Sequence, residues 1–128
     1  MPVTALYAGL LALVFVALSF RVIFARRGAR VLLGDGGDKE LLRRMRVHAN
    51  FAEYTPLALV LLGLAESLRA NVVLLHVLGA AFLLGRLSHA WGVSQPKETL
   101  LFRQAGMIAT FAVLIVAALA CVSGSLTR

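Results

Sequence analysis

Residues 46–56 read R-V-H-A-N-F-A-E-Y-T-P, with Arg46, Asn50 and Glu53 spaced so that a helix would carry them on one stripe, continued upstream by Arg43 and flanked by Tyr54. Guanidinium forks grip carboxylates in bidentate fashion, and a carboxylate can hold an ammonium group. The stripe therefore suits a small zwitterionic or anionic ligand. An internal ion-pair network, Glu53 with Arg46 or Arg86, would use the same residues to lock a bundle, and the residues alone leave both readings open. The stripe opens into the apolar segment Pro56–Leu68. A charged side chain at the centre of a membrane helix costs about 2.5–3.5 kcal/mol, so polar groups retained at this place point to a site.

Other side chains join the stripe by position. Arg86 and His89 share a helix face. Arg26 ends a first apolar run, and Arg103 begins the last one. His48 lies two residues beyond Arg46, about 200° around a helix, and so points away from the stripe. It is either an interfacial residue or serves a ligand held by a neighbouring subunit. His76 is distant from the cluster and reads as a packing or helix–helix hydrogen-bonding residue. No cysteine or carboxylate stands at ligand spacing from it, so no metal site is expected. Glu66 and Arg69 read as an interface ion pair. Cys121, the only cysteine, excludes an intrachain disulfide and reads as an inert buried thiol.

The elements that must position these groups are membrane helices. A mean hydropathy of +0.88 with 15% charged residues over 128 positions describes a membrane protein. Four apolar segments lack strand alternation, and only helices or closed barrels satisfy the backbone in lipid. The expected fold is all-α, a single four-helix transmembrane bundle over 1–128, with helices at about 3–26, 40–69, 72–92 and 99–123. The third run is the shortest before a charge interrupts it, and spans if Arg86 and His89 face protein or snorkel. No basic region precedes Val3–Phe20, so a cleaved signal peptide is disfavoured. The segment Arg26–Arg46 carries seven Arg or Lys against three acids around a flexible G-D-G-G-D turn. This bias predicts the first and third connections in the cytoplasm and both termini outside. Thr99 or Ser94 is expected to cap the fourth helix.

A net charge of +7 is placed between apolar runs, where anionic headgroups and topology account for it. Nucleic acid is not an expected partner; membrane lipid is. A small multidrug exporter of this size would carry an acid in its first span, and Val3–Phe24 has none.

At these residues the chain resembles the MAPEG family, membrane-associated proteins in eicosanoid and glutathione metabolism. The resemblance rests on I-F-A-R-R-G-A-R-V at 23–31 and on R-V-H-A-N-F-A-E-Y-T-P at 46–56, and it covers almost the whole chain. It implies a homotrimer, in a bacterial member an inner-membrane one, with glutathione as co-substrate bound between subunits near the cytoplasmic side. Arg46, Asn50, Glu53 and Tyr54 would hold the tripeptide from one subunit, Arg26 and His48 from the next. Arg86 and His89 look like the polar pair of the family's third helix. Arg103 is the counterpart of the arginine that stabilises the thiolate. Several relatives place a tyrosine four residues past the position of His89, where this chain has Val93. The function implied is transferase- or peroxidase-type chemistry on a lipophilic electrophile. The alternative is a membrane binding protein that keeps the pocket without turnover.

Overall fold

The computed structural model describes residues 1–97 and 100–128 and consists of four helices: α1 (Pro2–Ala29), α2 (Lys39–Ser67), α3 (Val72–Ser94) and α4 (Leu100–Leu126). Local chemistry sets their ends. Pro2 opens α1, where its missing N–H is no loss. The left-handed Arg30 closes that helix, its N–H donating to the Arg27 carbonyl at 3.3 Å while the Val31 N–H reaches Arg26 at 3.1 Å. Asp38 caps α2 by accepting from the Leu41 N–H at 2.9 Å, and Asn71 caps α3 through the N–H groups of Val73 and Leu74. Ser94 belongs to α3, and Thr99, the other residue expected to cap α4, lies outside the described residues. Both α1 and α4 run three residues further than expected, to Ala29 and Leu126.

The helices run antiparallel in chain order. Around the bundle they follow α1, α2, α4, α3, with α2 and α3 also packed across the diagonal and α1 not touching α4. The core is apolar, built on Tyr7, Leu11, Phe51, Leu62, Leu75, Phe82 and Val113. Glycines bring α3 and α4 together: a Cβ on Gly106 would lie 2.5 Å from the Gly85 carbonyl and 2.7 Å from His89, and one on Gly92 would lie 2.6 Å from the Arg103 nitrogen. At the other flank a Cβ on Gly79 would enter the Tyr7 ring.

Three helices, α1, α3 and α4, are long and apolar enough to cross a membrane. The third run, which looked the least secure, is among them by length and composition, and its Arg86 and His89 are buried against protein. It is α2 that falls short, since its first half is basic. Both termini lie at one end, beside the turn between α2 and α3: Arg128 donates to the Leu68 carbonyl, and Met1 lies against Gly63. Of the thirteen Lys and Arg residues, all but Arg69 and Arg128 belong to the other half of the bundle or its connections. We call this the basic end. The α1–α2 connection there exposes Leu32 and Leu33 almost fully, at 98% and 91%.

Glu66 does not pair with Arg69. Its carboxylate caps α1 instead, accepting from the Val3 N–H at 3.0 Å, the Thr4 N–H at 2.7 Å and the Thr4 hydroxyl at 2.6 Å. Those amides begin a helix and have no partner within it, and the positive end of the α1 dipole favours the acid further. Arg69 sits in the turn with φ 60°.

Candidate functional site

The centre of the site is Arg86, buried to 2% exposure at the junction of three helices. Its Nη1 donates to Asn50 Oδ1 from α2, and its Nη2 to Met107 Sδ from α4 at 3.3 Å. The guanidinium carbon lies 5.5 Å from the centre of the Tyr54 ring and 5.9 Å from that of Phe82, within the range of cation–π attraction. Tyr54 in turn meets Phe111 of α4 edge-on, with centroids 5.7 Å apart. Arg86 therefore fixes the rotamers of Asn50 and Tyr54 rather than snorkelling to the surface. Its Nε is buried without a partner.

One turn further along α3, His89 is buried over Gly106, and Arg46, Arg86 and Arg103 all lie within electrostatic reach of its ring. Arg46 and Glu53 are on the outward face of α2, exposed. Glu53 forms no ion pair with Arg46 or Arg86; among the described residues the ion pairs join Glu40 to Arg43 at 3.5 Å and to Arg44 at 2.9 Å. The internal network that the residues had left open is thus absent, and Arg86 is matched by an amide instead. Arg103 is exposed in the first turn of α4, held near His89 by the contact of its backbone with Gly92.

Two expected site residues lie elsewhere. His48 points into the seam between α1 and α2, where its Nε2 is 3.0 Å from the Ser19 hydroxyl and its ring stacks on Phe15 with centroids 4.8 Å apart. Arg26, at the same seam, donates to the Gly34 carbonyl at 2.7 Å and reaches Met45 Sδ at 3.6 Å. From Phe15 an apolar groove of about 350 Å³ follows this seam past Ala12 and Leu11 to Thr55 and Pro56, and Thr55 Oγ1 is buried there unpartnered. The polar residues of α2 thus serve two adjacent flanks of the bundle, α1–α2 and α2–α4, as the rotation between Arg46 and His48 requires.

Sequence reasoning missed Met107, Ser19 and Tyr7. Met107 stands four residues after Arg103, one turn along the same face, which was the available signal. Tyr7 lies 3.0 Å from His76 Nδ1 and donates to the His76 carbonyl at 3.2 Å, so His76 does make the helix–helix bond expected of it. The Cys121 thiol donates to the Leu61 carbonyl at 3.3 Å, in keeping with a packing role.

Fold and site together define an integral membrane helix bundle that gathers arginines, an amide, a carboxylate and a phenol at one end. Comparison with known proteins gives the lineage. The model of the MAPEG family matches residues 4–123, and the chain belongs to that family. It is 40% identical over 118 residues to the inner membrane protein YecN of Escherichia coli K12, covering 92% of this chain and 88% of the relative. The YecN of E. coli strain CFT073 matches to the same extent.

Proposed function

We propose that the protein binds glutathione between subunits of a homotrimer in the bacterial inner membrane and transfers it to a lipophilic electrophile. The observation that carries this reading is the pair of exposed charges Arg46 and Glu53 on α2, the carboxylate with no partner among the described residues, beside an Asn50 held rigid by Arg86. Glutathione has two carboxylates and one ammonium, and the residues fit it: Arg46 for a carboxylate, Glu53 for the ammonium, the Asn50 amide and Tyr54 hydroxyl for the peptide groups. A ring in which the α1–α2 flank of one subunit meets the α2–α4 flank of the next would cover these charges, and such head-to-tail contacts close naturally into rings. It would also bring His48 and Arg26 to the neighbour's ligand. The basic end faces the cytoplasm by the distribution of Lys and Arg.

In the reaction, the thiol loses its proton to water and the thiolate sulfur forms a bond to the electrophilic carbon as the leaving group departs with the bonding electron pair. Arg103 supplies the positive charge that favours the thiolate. The apolar groove below Phe15 offers the neighbouring subunit's lipophilic substrate a place beside the sulfur. Isothermal titration of the purified protein with glutathione tests binding, and Glu53→Gln and Arg46→Ala are expected to abolish it. A conjugation assay with an activated aryl halide tests transfer, with Arg103→Ala expected to slow turnover while binding persists. Binding without conjugation would select the non-catalytic alternative, which the apolar, buried Val93 favours in one respect, since it offers no hydroxyl near His89. No heat of binding in the wild type would end both.

A further inference from the structure

The flank of the bundle opposite α2–α4 lies between α1 and α3, and at the basic end it opens into a groove of about 700 Å³. Its floor is apolar, with Leu18 and Leu87 flanking Ala17 and Ala90, whose small side chains leave the space. Its head is polar. Arg21 of α1 donates from Nη1 to the Ser94 hydroxyl, the last residue of α3, at 3.2 Å. That single bond leaves most of the guanidinium N–H donors free, and Ser94, accepting from Arg21, keeps its own O–H to donate. The contact also sets the depth: Arg21 is level with the end of α3, where a membrane helix meets the headgroups. Trp91, 59% exposed, borders the same groove, as expected of an interfacial aromatic.

Among the described residues the acid that bears on Arg21 is Glu40, which is gripped by both Arg43 and Arg44, and Arg44 Nη1 donates to the Arg21 carbonyl at 3.1 Å. The carbonyls at the end of α3 would repel an anion, but the Gln95 side-chain amide donates to one of them, that of Trp91, at 3.3 Å. In a ring that meets through α2, this flank faces lipid.

We propose that the α1–α3 groove binds one anionic phospholipid, its phosphate held by Arg21 and Ser94 and an acyl chain lying over Ala17 and Ala90. The site is separate from the glutathione pocket and takes from the proposed ring only that this flank faces lipid. Trp91 is the only tryptophan, so its fluorescence reports this groove directly. The protein would be reconstituted in phosphatidylcholine vesicles containing graded amounts of either brominated phosphatidylglycerol or brominated phosphatidylcholine. The anionic lipid should quench Trp91 at an about fivefold lower mole fraction, the preference that one interfacial arginine confers. Arg21→Gln should erase this preference, and Arg27→Gln, an equal charge loss outside the groove, should keep it. Ala17→Leu, which fills the floor and leaves every charge in place, should also erase it. Equal quenching by the two lipids in the wild type would overturn the proposal, as would a preference surviving in Arg21→Gln or in Ala17→Leu.

Discussion

At the scale of single residues the site divides into groups that hold shape and groups that await a ligand. Asn50 and Arg86 belong to the first. Removing the amide leaves a buried guanidinium N–H without its acceptor, a loss of about 1–3 kcal/mol. Asn50→Ala is therefore expected to lower the unfolding temperature in detergent and to weaken glutathione binding together. Arg46 belongs to the second group. Being exposed, Arg46→Ala should leave the unfolding temperature where it is and abolish binding alone, so titration calorimetry and thermal melts on the two variants separate the roles. The stripe itself was legible in the sequence, because helix periodicity alone puts Arg46, Asn50 and Glu53 on one side and His48 on another. The partner of Arg86 was not. Helix periodicity cannot say which side chain of a neighbouring helix a guanidinium reaches, and an ion pair with Glu53 stood open until the bundle placed the Asn50 amide against Arg86.

At the scale of helices, apolar runs and basic connections marked all four elements, while the caps that set the starts of α2 and α3, Asp38 and Asn71, went unread. What the pattern hid was the packing of helix on helix. Small residues in a sequence show only that close helix contact is possible; in the fold Gly85, Gly92 and Gly106 let the α4 backbone touch α3 and so bring Arg103 near His89. Gly106→Ala forces its Cβ into the Gly85 carbonyl and is expected to cost about 1–3 kcal/mol. Gly9→Ala, where the added carbon meets nothing within 4 Å, should be tolerated or mildly stabilising. Chemical denaturation of both variants checks the contrast. Glu66 was misread for a related reason. Its sequence neighbour Arg69 offered an obvious partner, while the α1 amides that it caps lie some sixty positions away in the chain. In Glu66→Ala, hydrogen exchange at Thr4 should accelerate, with exchange in α4 unchanged.

At the scale of the whole molecule the proposed function has the polar flanks of α2 meet a neighbour, and the ring proposed above specifies which surfaces meet. Ala12 lies in the groove beside α2, and Ile115 is exposed on α4 at a matching depth. In a Cys121→Ala background, cysteines at positions 12 and 115 are expected to join subunits on mild oxidation and to give a trimer on a non-reducing gel. Cysteines at 84 and 115, the first on α3 and away from the ring's seam, should leave monomers. A monomeric ladder from the first pair would remove the ring and with it the shared pocket.

The cap on α1 also bears on biosynthesis. The leading turn of the first span carries amides whose acceptor, the Glu66 carboxylate, emerges from the ribosome only after the second span has been made. Until that hairpin folds back, those amides lack the carboxylate that caps them. Insertion of the opening segment is then finished by its successor, and a nascent polypeptide stalled before residue 66 should hold its first helix loosely.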